Sequence, residues 1–170
     1  MSPLSNAPSL SKGAIEVVDP ASYRIISTIK FQYNPGKVSR TLKPRWMQGE
    51  GSPMRLGGVP EETIKLDVEI DSADQFKNTE ELGIYPQLSA LEVLVYPKVE
   101  DVTKEVSQMK KGLMKAVPSE APTVLFVWGK NRLLPVQLTS FRITEEAHDV
   151  NLNPVQAKVS LSLRVLSYND

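Results

Sequence analysis

Alternation of apolar and polar side chains at period two dominates this chain. From Glu61 to Asp71, Ile64, Leu66, Val68 and Ile70 alternate with Thr63, Lys65, Asp67 and Glu69. Near the end of the sequence Ala157, Val159, Leu161, Leu163 and Val165 alternate with Lys158, Ser160, Ser162 and Arg164. Successive strand side chains point to opposite faces, so both runs predict strands with one dry and one wet side. Four buried aliphatic side chains contribute roughly 1.5–3 kcal/mol each before conformational entropy is set against them. Val124, Phe126 and Trp128 lead into a Gly129-Lys130-Asn131 turn, followed by Leu134, Val136 and Leu138 at period two. The apolar parity is even there but odd at Phe141 and Ile143, which predicts a β-bulge or bend near Thr139-Ser140.

The remaining pattern fills in around these strands. Ala14 to Val18 predicts a short strand broken by Asp19-Pro20, and Tyr23 to Tyr33 a longer one, with Ile25, Ile29, Phe31 and Tyr33 sharing a parity. Asn34-Pro35-Gly36 is turn chemistry. Val38 to Trp46 reads as extended, with Pro44 excluding a central position in a sheet. Residues 47–60 contain four glycines and two prolines and read as a long loop. Pro86 suits a first helical turn, and Leu88, Leu91, Leu94 and Val95 form a helical stripe that Pro97 stops. Val99, Val102, Val106, Met109, Leu113 and Met114 repeat that spacing, so 99–119 is expected as a helical or looped insertion. Residues 1–13 read as a flexible arm and 14–170 as one β-rich domain.

Composition narrows the chemistry. The 170 residues are 41% hydrophobic and 24% charged, an ordinary globular balance. Lys and Arg together number 20, as do Asp and Glu, so no net charge favours nucleic acid or an anionic membrane. With no cysteine, disulfides, thiolate metal sites and a cysteine nucleophile are excluded. No apolar run approaches a membrane span, and no Sec leader pattern is visible. Phosphate-binding glycine motifs and the GxSxG elbow are absent. Glu145, Glu146, His148 and Asp149 gather titratable groups in one stretch. A single histidine without a second His or Cys does not complete a closed nitrogen–sulfur zinc site, and a solvated loop accounts for them. Lys37, Arg40, Lys43 and Arg45 beside Tyr33 and Trp46 resemble a basic–aromatic patch without a nucleic-acid-binding module around it.

Taken together and in order, FQYNP (31–35), EETIKLDVEID (61–71), GIYPQLSALEVLVYP (83–97) and the run from LFVWGK through NLNP to the final strand (125–170) resemble the tube domain of contractile injection systems. The nearest likeness is to the baseplate tube-initiator, or tube–spike adaptor, of phage-tail-like particles such as the antifeeding prophage and the Photorhabdus virulence cassette. That resemblance implies a mainly β tail-tube fold: two packed antiparallel sheets in a barrel-like domain with a flanking helix. It further implies a homo-hexameric ring that joins the trimeric, VgrG-like spike to the inner tube or a second initiator protein, contacts other baseplate components and templates the tube. It implies no catalysis, cofactor, metal, nucleic acid or membrane insertion, and it places assembly in the cytoplasm. Relatives often carry a LysM module after the tube domain, which this sequence does not show. The candidate assembly interface comprises Trp46, Met54, Arg55, Lys130, Asn131, Asn151 and Asn153. The candidate lumen or subunit face comprises Lys158, Ser160, Ser162 and Arg164. The competing readings are an inner tube protein proper, and a ligand- or metal-binding β-barrel enzyme with His148 at its site.

Overall fold

A computed structural model describes residues 11–19, 22–74, 82–96, 103, 106–107, 109–112 and 122–167. Their strands are β1 (Ala14–Val18), β2 (Ile25–Lys30), β3 (Val38–Lys43), β4 (Trp46–Met47), β5 (Arg55–Leu56), β6 (Glu61–Asp71), β7 (Thr123–Val127), β8 (Leu133–His148) and β9 (Pro154–Val165). Helix α1 (Tyr85–Glu92) lies between β6 and β7, after a 3-10 turn at Ser72–Asp74. Seven strands form an antiparallel sheet in the order β2-β1-β7-β8-β9-β6-β3, and β4 pairs with β5 in a separate two-stranded ribbon. The fold is mainly β with a flanking helix. The strands form one large sheet, rather than two sheets packed face to face, and it is not closed into a barrel.

The sheet nevertheless curls. In a flat sheet β2 and β6 would lie five strand spacings, about 24 Å, apart. Gln32, two residues past β2, reaches β6: its Nε2 donates to the Asp71 carbonyl at 2.7 Å, and its Oε1 accepts from the Asp71 amide at 2.9 Å. Asn34 ties the same connection to the start of β1, accepting from the Gly13 amide at 2.8 Å and donating to the Ser11 carbonyl at 2.9 Å. Lys12 Nζ adds a bond to the Gln32 carbonyl. The FQYN run thus bridges the gap that no strand pairing closes, while Phe31 fills the core beneath it at 2% exposure.

The dry face follows the alternation. Ile64, Leu66, Val68 and Ile70 of β6 stand opposite Leu163, Leu161, Val159 and Ala157 of β9, and all eight are buried. Val124 and Phe126 of β7 and Ile15 of β1 join them. Phe126 stacks on half-buried Trp128 at a ring-centroid distance of 6.0 Å. The parity switch in β8 is a bulge: Leu138 faces Leu163, but Ser140 faces Ser162 and Phe141 faces Leu161, so Thr139 is the extra residue. Its Oγ1 donates to the Ser162 carbonyl at 3.0 Å, which anchors the irregular turn of backbone.

Helix α1 has eight residues and no side-chain cap, too short to be stable by itself. Packing holds it, through buried Ile84, Leu88, Leu91 and Leu94. The backbone also holds its start, because the Ile84 amide donates to the Pro154 carbonyl at 2.9 Å. Gly83, just before, has φ +56°, and a Cβ there would stand 2.2 Å from that carbonyl oxygen. The regular helix stops at Glu92, short of Pro97, and Val93 to Val95 continue in turns.

Two other readings are refined. Residues 47–60 are not loop throughout, since Trp46 and Met47 pair with Leu56 and Arg55. On β2 the shared parity does not give a buried stripe: Phe31 is buried, whereas Ile25 is 57% exposed, because β2 is a margin of the sheet. Within 99–119, Thr103, Val106, Ser107, Met109 and Lys110 are helical. The rest of that segment, and most of the N-terminal arm, lie outside the described residues.

Candidate assembly surfaces

Antiparallel pairing fixes where the candidate residues fall. Glu61 of β6, Val165 of β9 and Leu133 of β8 share one end of the sheet; Asp71, Pro154 and His148 share the other. Trp46, Met54 and Arg55, with Lys130 and Asn131 of the β7–β8 turn, belong to the first end. Asn151 and Asn153 of the β8–β9 turn belong to the second. Strand β8 has 16 residues, so about 50 Å separates the two groups. The seven candidate interface residues are therefore two surfaces at opposite ends of the molecule.

At the first end, β3 and β6 run on into the ribbon of β4 and β5 as a projecting arm. Pro44 and Gly57 relax the ladder there, and the Gly57 amide still donates to the Arg45 carbonyl at 2.7 Å. Trp46, Met47, Met54 and Leu56 are 58–65% exposed, a concentration of apolar side chains with no core beneath it. Of the cations at its base, Arg40 is answered within the chain: its Nε lies 2.6 Å from Glu62 Oε1, which holds the guanidinium pKa above its usual value, while Lys43 stands opposite Glu61 in the strand register.

At the second end, Asp149 organises the turn. Its Oδ1 accepts from the backbone amides of Asn151 at 2.8 Å and Asn153 at 2.9 Å, and its Oδ2 accepts from Asn153 Nδ2 at 3.0 Å. The turn presents Val150 at 98% exposure and Leu152 at 78%, the latter at φ +64°. These two apolar tips escaped the sequence reading, although an apolar residue on either side of Asn151 inside a polar turn was a usable signal. The hydrogen bonds from Asn153, foremost from its side chain, hold the Asp149 carboxyl below its usual range. A depressed carboxyl stabilises the fold above its unfolded value, near 3.9, and that contribution is lost as pH falls through the folded value. We expect the protection factors of the Asn151 and Asn153 amides, relative to their intrinsic exchange rates, to hold at pH 5 and to fall in stronger acid. Asp149→Ala should abolish that protection at every pH while leaving the strands protected.

The wet face also assembles as a surface. Lys158, Ser160, Ser162 and Arg164 lie opposite Glu69, Asp67, Lys65 and Thr63 of β6, with Thr144, Arg142, Ser140 and Gln137 of β8 on their other side. Ser160 Oγ donates to Asp67 Oδ1 at 2.7 Å, and Arg164 Nη2 donates to Gln137 Oε1 at 3.1 Å. All four candidates are half-buried by their neighbours. His148 sits exposed at the end of β8, its Nε2 2.8 Å from Glu145 Oε2. Among the described residues no group of three or more His, Asp or Glu could hold a metal ion. Nor is any described helix long and apolar enough to cross a membrane.

The comparisons bear on what such surfaces are for. The family model for the contractile injection system tube protein matches residues 9–168. The chain belongs to that family, whose members are structural tube proteins of contractile injection systems rather than a class of enzymes. None of the curated protein sequences matches. The solved tail of an empty GTA particle, computed with helical refinement and C6 symmetry, aligns over 91% of this chain and 90% of that one. Identity is 11% and the TM-score 0.36, an overlap too loose to bear on assembly.

Proposed function

We propose that this protein forms a homo-hexameric tube-initiator ring at the baseplate of a contractile injection particle, linking the trimeric spike to the inner tube and templating its growth. Family membership supports the tube role, and the motif set described above supports the initiator. The observation that carries ring formation is the state of the sheet margins. Among the described residues β2 pairs only with β1, and β3 only with β6. Beside the β2 margin, Tyr23, Ile25 and Ile26 are 84%, 57% and 61% exposed. A margin this apolar templates aggregation unless a neighbour completes it. Each copy has two margins of different sequence, so their contact is head-to-tail and closes when six copies complete the circle. The wet face of β6, β9 and β8 then lines the lumen, and the arm and the β8–β9 turn meet neighbours at the two ends.

Mass photometry of the purified chain, alone and mixed with its spike, tests this. Six-fold particles that cap the spike are expected. Monomers under both conditions overturn the ring, and long stacks without the spike would instead identify the tube protein proper. His148→Ala should leave ring formation intact. Loss of a chemical activity in that variant would favour the enzyme reading.

A further inference from the structure

The dry face of the sheet is wider than the helix that covers it. Ile84, Leu88, Leu91 and Leu94 share the buried core with β6 and β9, but on β8 past Val136 burial is incomplete. Leu138, Phe141 and Ile143 are left half-buried. With Thr139, Ser140, Glu92, Val95 and Tyr96 they line an open groove of about 560 Å³. One wall is the apolar stretch of β8 at the bulge. The other is the end of α1 and the turn after it, where Glu92 is half-buried and has no ion-pair partner among the described residues.

The arm is shaped for two walls. Trp46 stands directly opposite Leu56 on one face, and Met47 opposite Arg55 on the other. Gly57 lets Met47 lie close against the ribbon, since a Cβ there would stand 2.4 Å from Met47 Cγ. Arg45 and Arg55 have no ion-pair partner among the described residues. Register sets the arm apart from its own groove: groove residues 138–141 lie level with 161–163 of β9 and 64–66 of β6, whereas the arm begins beyond the Lys43–Glu61 pair at the end of the ladder.

We propose that the arm of one copy lodges in the groove of the next. Trp46 and Leu56 lie on the β8 wall, Met47 and Arg55 face the helix wall, and Arg55 pairs with Glu92. Charge complementarity selects a second copy as the occupant: among the described residues, the arm's two guanidinium groups have no ion-pair partner and the one charged group lining the groove is a carboxylate. Each copy offers one arm and one groove, so every contact leaves another of each open and the series continues until a ring closes. This inference rests on the ring-forming reading and supplies it with a specific joint.

A chain without cysteine makes the test direct. Leu56→Cys and Phe141→Cys are prepared separately, mixed, assembled and mildly oxidised. A disulfide needs Cα atoms within about 7 Å. Cross-linked dimers are expected in the mixture and in neither variant alone; Met47→Cys with Tyr96→Cys, the pair on the helix wall, replaces them should Phe141→Cys misfold. Independently, Glu92→Arg should weaken assembly about tenfold or more by setting like charges together, and adding Arg55→Glu should restore it. Rings without the mixed cross-link and without charge-swap rescue overturn the joint while leaving the ring. A cross-link formed within single chains of the double-cysteine variant overturns it by making the chain's own arm the occupant. Monomers of the wild type, even with the spike, overturn both readings.

Discussion

Leu161→Asp is expected to yield no folded protein. Leu161 is 2% exposed and lies between Leu66 on β6 and Phe141 on β8, so a carboxylate there has no water and no partner. Burying an unpaired charge costs several kcal/mol even after relaxation, and the lost leucine adds about 2–5 kcal/mol. That sum rivals the 5–15 kcal/mol by which a typical domain is stable. Ser162→Asp, one residue on, places the same group on the wet face beside Lys65 and should change stability by less than about 1 kcal/mol. Far-UV circular dichroism with thermal melting separates the two. A cooperative melt for Leu161→Asp would mean that the faces of β9 are assigned the wrong way round.

Gly83→Val should be the next most damaging of these changes, at about 3 kcal/mol. A β-branched residue at φ +56° carries roughly 1–2 kcal/mol of strain. The obstruction to its Cβ is the Pro154 carbonyl oxygen, backbone that cannot swing aside, so the Ile84–Pro154 hydrogen bond, worth about 1 kcal/mol, is lost as well. Because α1 is anchored by that contact and by packing, its loss should expose Ile84, Leu88 and Leu91. The expected signature is a lowered melting temperature with dye binding to apolar surface below the transition. An unchanged melt would show that the helix is held by packing alone.

The strands of the large sheet were legible because one side of it is dry. Burial writes a period of two into the sequence, and β6 and β9 carry it without a break. The bulge at Thr139 was legible for the same reason, since an extra residue shifts the parity of everything after it. Pro44 marked its stretch as a margin, where a missing amide costs little. Sheet order was not legible: nothing in the alternation of β9 says that it pairs with β6, some ninety residues earlier, as well as with β8. The Gln32–Asp71 bridge escaped notice because one amide side chain carries no pattern. The arm was read as loop because two residues a side are too few to show a period. The apolar tips at Val150 and Leu152 were passed over because a turn is read for its polar residues.

Placing β9 between β8 and β6 has a consequence for synthesis. Strand β6 leaves the ribosome early, yet its long partner is the last strand of the sheet to appear. Until residue 165 has emerged, the strand that joins the β3–β6 pair to β8, β7, β1 and β2 is missing. The nascent chain therefore carries β6 without its β9 partner through most of translation, and its folding is governed by distant pairings, which are slow to form. The chain thus spends its synthesis in an aggregation-prone state, and chaperone occupancy of residues 61–94 should end only when β9 is made.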